Sequence, residues 1–143
     1  GLTYPALFDP SWVATGAMVA PTRRYHGATV LADGRALVSG GKLGLATADT
    51  AELYDPATRT WAATGTMPNK SVNQTLTTLL TGKAANVGGF DGSGNPVAAV
   101  FLYDTAFGTW TTVAPMPNPG LVPLLSVSRV ALWLEQSVGT ARM

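Results

Sequence analysis

The chain has 143 residues, 46% of them hydrophobic and 12% charged, with a net charge of +1 and no cysteine. That balance describes a globular chain with enough residues for a core. It excludes bulk electrostatic recruitment of nucleic acid or an anionic membrane surface, and with them disulfides, thiolate metal sites and cysteine nucleophiles. No apolar run reaches the ~18 residues that would span a membrane.

The N-terminus, Gly1-Leu2-Thr3-Tyr4-Pro5, is neither an initiator Met nor a signal peptide, which is what a processed protein or a piece of a longer one would show. Short β-rich runs punctuated by Gly, Pro, Asn and Asp then predict an all-β chain. His26–Leu31 reads as a strand, Asp33-Gly34 as a hairpin turn and Arg35–Ser39 as the return strand, ending at Gly40-Gly41. Two glycines at a strand end predict a sharp reversal or a close backbone approach. Lys42–Asp49 reads as a loop, Thr50–Tyr54 as a third strand, Asp55–Thr58 as a turn and Thr60–Thr64 as a fourth strand.

The same order then returns. Tyr54 and Tyr103, Asp55 and Asp104, Trp61 and Trp110, and Met67 and Met116 are each 49 residues apart, while Gly34/Gly82 and Gly40-Gly41/Gly88-Gly89 are 48 apart. Coincident offsets at the rarest residue types mark an internal repeat. In the second copy Gln74–Leu80, Val97–Tyr103 and Thr109–Val113 read as strands and Asp91–Pro96 as a turn-rich loop. This copy is more worn: Gln74 stands for His26, and Asn86 stands where Val38 lies in a buried strand, a cost unless it finds a partner. Leu7–Pro10 and Trp12–Met18 parallel Leu53–Pro56 and Trp61–Met67, so residues 1–18 read as the end of a preceding copy. The division expected is 1–18, 19–67, 68–117, and a degenerate or partial third copy over 118–143. This last stretch lacks the turn glycine, the Gly-Gly pair and the Tyr/Trp pair, and admits a short helix over Ser128–Val138.

A repeat of this period, with four strands, Gly-Gly after the second, Tyr on the third and Trp on the fourth, resembles the kelch repeat. The carriers are His26–Gly41 with Ala51–Trp61, then the second copy, over roughly residues 5–117. The resemblance implies blades of a β-propeller, incomplete within this chain, of the kind found in secreted bacterial arrays, hence an extracellular or periplasmic setting. It also implies that Tyr54, Trp61, Tyr103 and Trp110 fill the widening gap between blades as packing, and that inner strands want small residues, as in Gly27-Ala28-Thr29. Propellers have typically 4–8 blades. The expectation is therefore a fragment of a longer array, or self-association that completes a ring.

Catalytic chemistry finds little support. His26 is the single histidine, too little for a metal site or a Ser-His-Asp arrangement, and reads as structural. Asp9, Asp55 and Asp104 occupy equivalent turn positions, which argues for backbone capping over acid–base work. The Gly-Gly pairs lack the spacing of a phosphate loop, Asp91–Asn95 lacks the closing Glu of a calcium loop, and the Asp-box spacing of sialidases is not met. No cofactor and no metal are expected. In a four-stranded meander the connection between strands two and three lies on the same side as the connection between blades. That places Arg23, Arg24, Tyr25, Lys42 and Asp49 at one end of the first blade, and Lys70, Asn73, Asp91, Ser93 and Asn95 at the same end of the second. By resemblance this is the functional face, although Arg23 stands three residues before His26, where kelch repeats often carry a structural basic residue. The expected function is a non-catalytic scaffold presenting loops to a protein or glycan partner. The alternative is part of the propeller of a secreted galactose-oxidase-like copper enzyme, whose Tyr, Cys and His ligand set this chain does not supply.

Overall fold

The computed structural model describes residues 13–117. Within them the chain is all β, without a helix, with two four-stranded antiparallel sheets whose strands follow in chain order and one small three-stranded sheet. Of the expected half-blade over residues 1–18, only Val13–Met18 is described, and it forms no strand; the readings over residues 1–12 and 118–143 lie outside the described residues.

Arg23–Arg24 (β1) precedes the first sheet, which is built from Gly27–Val30 (β2), Ala36–Ser39 (β3), Ala51–Asp55 (β6) and Thr60–Thr64 (β7). Lys42–Leu43 (β4) and Ala46–Thr47 (β5) lie between β3 and β6. The second sheet is Thr75–Thr78 (β8), Ala84–Val87 (β9), Val100–Asp104 (β10) and Thr109–Val113 (β11). The registers repeat: Tyr54 pairs with Trp61 as Tyr103 pairs with Trp110, and Ala36 pairs with Tyr54 as Ala84 pairs with Tyr103. The two blades meet along their inner strands. Gly27 abuts β8 so closely that an added Cβ would sit 2.8 Å from Leu76 Cβ, and Thr29 Oγ1 lies 3.1 Å from Thr78 Oγ1. The expectation of small residues on the inner strand is met at Gly27, where no side chain fits.

Alternation along the strands sorts the core. Leu37, Ala51 and Leu53 of the first blade pack against Leu76, Ala84, Tyr103 and Trp110 of the second. Tyr103 is fully buried in this layer. It donates to or accepts from Thr64 Oγ1 at 2.6 Å, while Trp110 Nε1 donates to Gly65 O at 2.8 Å. The Tyr/Trp pair therefore works as packing between blades. On the opposite face of the second blade Ala85, Val87, Val100 and Leu102 form a second buried cluster with Leu79.

One reading is corrected. Lys42–Asp49 is not a plain loop: β4 and β5 form a tight hairpin around Gly44-Leu45, and β4 pairs with β1 to make a three-stranded sheet. Gly44 takes φ +62° to close that turn. Strands of two residues carry too short a pattern for alternation to be read. The second blade repeats the device in reduced form, as bridges Val72–Phe90 and Phe90–Pro96.

Candidate functional site

Strand direction puts the β3–β6 and β7–β8 connections at one end of the blades, together with the chain entering β2 and the β9–β10 connection. This loop face is held by backbone hydrogen bonds across the blade boundary. Gly41 N donates to Ser71 O at 2.8 Å and Asn73 N donates to Tyr25 O at 2.9 Å. Within each copy a further bond ties the exit of the last strand to the loop before the third: Met67 N donates to Asp49 O at 2.8 Å, and Met116 N to Ala98 O at 2.9 Å. The hairpin of the first blade also comes close to the turn of the second: an added Cβ on Gly92 would lie 3.5 Å from Thr47 Oγ1.

The Gly-Gly pairs make this crossing possible. Gly41 and Gly89 hold φ +89° and +90°, and a Cβ there would sit 2.5 Å from Arg24 O and Val72 O respectively. These are the bends at which the loop face of each blade leaves its second strand.

The residues expected on this face divide. Arg23 is buried and unavailable to a ligand. Its guanidinium donates to Gly40 O, Thr50 O and Thr50 Oγ1, and pairs with Glu52 at 2.8 Å. Glu52 in turn accepts from the amides of Val19 and Ala20, at 2.7 and 3.1 Å, fastening the incoming chain. Arg23 and Arg24 are neighbours on one strand, so they point to opposite sides. Arg24 is exposed and donates to Gly44 O at 2.9 Å, with its guanidinium carbon 5.8 Å from the centre of the Tyr25 ring. Tyr25 and Asn73 are exposed, Lys42 and Asp49 are half-buried, and Lys70 is exposed. Asp91 is turned inward on its own loop, accepting from Ser93 N, Asn95 N and Asn95 Nδ2. Those amides, Asn95 first, hold its carboxyl below the usual range.

His26 is exposed at the start of β2, with Cβ close to the bend at Gly41. Partial burial, then the Arg23 charge, lower its pKa from 6.5. Asp55 and Asp104 cap their turns, accepting from Ala57 N and Ala106 N. Lys83 Nζ pairs with Asp104 at 2.9 Å, and that bond first, then the amides of Ala106 and Phe107, lower the Asp104 pKa. Among the described residues no group of three or more His, Cys, Asp or Glu is placed to hold a metal ion.

Comparing the copies shows what the residue-by-residue reading missed. Arg23 and Glu52 correspond to Ser71 and Phe101, so a buried ion pair in one blade is a small polar residue and a ring in the other. A Glu at a position that alternation buries, and that the second copy fills with Phe, is a signal that could have found it. Asn86, standing for Val38, does find a partner: Nδ2 reaches Met67 Sδ, which the loop face feeds in between the blades.

Residues 87–117 match the family model of the kelch motif. The match spans Gly88-Gly89, Tyr103 and Trp110, and falls on the copy that reads as the more worn of the two. No curated protein matches the chain significantly.

Proposed function

We propose, from a chain built of kelch-type blades, that it acts as a non-catalytic scaffold whose loop face binds a protein or glycan partner, outside the cell or in the periplasm. The observation that carries this reading is where the two copies diverge. Framework positions repeat: the Gly-Gly bends, the Tyr/Trp pairs and the Asp-capped turns. Loop-face positions do not: Arg24, Tyr25 and Lys42 correspond to Val72, Asn73 and Phe90. A face held rigid by backbone bonds yet free in side chain is suited to recognition. The described residues form two blades, whereas propellers typically have about 4–8; self-association that completes a ring is tested by light scattering on the purified chain, a folded dimer supporting it.

Protein and glycan arrays test the reading. A specific ligand is expected whose binding falls on Lys70→Ser/Asn73→Ser and persists on Leu80→Ser/Phe107→Ser, which alter exposed residues at the opposite end of the blades. Binding sensitive only to the opposite end, or none on either array, overturns it.

A further inference from the structure

We infer that the β1–β4–β5 sheet of the first blade is a docking site for an acidic peptide segment that carries an apolar side chain beside its carboxylate; this rests on the loop-face reading above. The first support is a charge arrangement. Arg24 and Lys42 are direct cross-strand partners, so two cations share one side of a small sheet. Like charges directly opposite destabilise a strand pair. The matching bridge in the second blade, Val72 with Phe90, is apolar, so the fold does not require charge at these positions. The ion pairs among the described residues are Arg23–Glu52, Arg35–Asp33 and Lys83–Asp104, none of which neutralises Arg24 or Lys42.

Backbone strain at the adjoining residue is the second support. Tyr25 holds φ +58° with 56% of its surface exposed. A bulky residue is unfavourable in this left-handed region, and Asn is among the few non-glycine residues that enter it readily. Asn73 occupies the matching position in the second blade, at φ +54°. Burial does not account for the ring at position 25. It lies instead beside the Arg24 guanidinium, where it presents an aromatic surface next to that cation.

The third is Leu45, 91% exposed at the tip of the same hairpin. A sulfated glycan would use the cations and stack on Tyr25, but it offers nothing to an aliphatic tip. A peptide with Asp or Glu next to an apolar residue engages all four groups: carboxylate on Arg24 and Lys42, apolar side chain against Tyr25 and Leu45.

The test is selection from a displayed library of random dodecapeptides on the whole chain, followed by affinity measurement on synthetic winners. Winners are expected to be enriched in Asp or Glu adjacent to an apolar residue. They should bind Arg24→Ser/Lys42→Ser at least tenfold more weakly, and weaken several-fold between low and high salt. Tyr25→Asn is expected to weaken binding while raising the unfolding midpoint, a split that a merely structural Tyr25 would not give. Winners without acidic preference, or bound equally by Arg24→Ser/Lys42→Ser but lost on Lys70→Ser/Asn73→Ser, overturn this inference and leave the loop-face reading standing. Binding of dextran sulfate with no acidic peptide selected overturns the peptide assignment. No loop-face binding of peptide or polysaccharide overturns the inference; with the protein and glycan arrays also blank, the loop-face reading falls too.

Discussion

Arg23 and Glu52 are charged groups in the interior, and the second blade shows the same two positions as Ser71 and Phe101. Removing one partner of a buried pair leaves an uncompensated charge and costs about 3–5 kcal/mol. Arg23→Ser is therefore expected to lower the urea midpoint strongly at unchanged m-value. The double change Arg23→Ser/Glu52→Phe, which copies the second blade, should cost less than Arg23→Ser alone, because no carboxylate remains buried and the freed amides of Val19 and Ala20 can turn to water. A double variant as unstable as the sum of the singles would refute the account. His26 gives a pH dependence of definite sign. Its pKa in the folded protein lies below the unfolded value of 6.5, because partial burial and Arg23 disfavour the imidazolium. The unfolded chain thus binds more protons in that window. The stability contributed is complete above pH 6.5 and falls as the pH drops through the folded pKa. His26→Gln, the residue found at position 74, is expected to flatten this slope, measured as urea midpoints between pH 7.5 and 5.

Elements are shaped by where a side chain is forbidden as much as by what is present. Gly41 combines positive φ with a carbonyl, Arg24 O, 2.5 Å from any added Cβ, whereas Gly34 has positive φ with nothing within 4 Å. Gly34→Ala should then cost only the left-handed term, about 1–2 kcal/mol. Gly41→Ala adds steric displacement of about 1–3 kcal/mol, and Gly89→Ala should behave like it. Thermal or urea unfolding of the three variants checks the order; equal costs at Gly34 and Gly41 would mean that the close approach is not what the pair provides. Seven of the eight blade strands were legible in the sequence for the same reason, and the eighth, β9, followed only from the match of Asn86 with Val38 in β3. Gly-Gly, Asp-Gly and the Tyr/Trp positions are local signals spaced at a fixed period, and each constrains a strand end. The β4–β5 hairpin was not legible, since two-residue strands have no period and depend on β1, some 20 residues earlier, for their pairing. Arg23 was placed on the loop face because its neighbours are there. The resemblance also offered a structural role for a basic residue at this position, and the alternation within β1, itself invisible before the β1–β4 pairing is known, sends it inward. Of the candidate site, the end of the blades could be read from strand direction alone, but not the pairing of Arg24 with Lys42.

At the scale of the molecule the two blades are joined by a contact that recurs one period apart. Gly16 N donates to Arg59 O at 3.0 Å, and Gly65 N donates to Gly108 O at 3.1 Å. Around the second of these, Thr64 meets Tyr103 and Gly65 O accepts from Trp110, so a Thr-Gly pair leaving one blade clasps the Tyr/Trp pair of the next. In a repeat array, stability is approximately a sum of each repeat's own stability and its interface with the neighbour. The clasp belongs almost wholly to the second term. Thr64→Val keeps the shape and deletes one hydroxyl, leaving Tyr103 without that partner; a loss of about 1 kcal/mol is expected. Gly65→Ala is more severe, because its Cβ would run into Gly108 O while adding no atom to the strands of either sheet. It should uncouple the blades rather than unfold one of them. The expected signature is a fall in m-value or a biphasic urea transition, with amides of the inner strand β2 losing hydrogen-exchange protection relative to those of β3. A single transition of unchanged m-value in Gly65→Ala would mean that the inner-strand contact of β2 with β8, not the clasp, makes the two blades one cooperative unit.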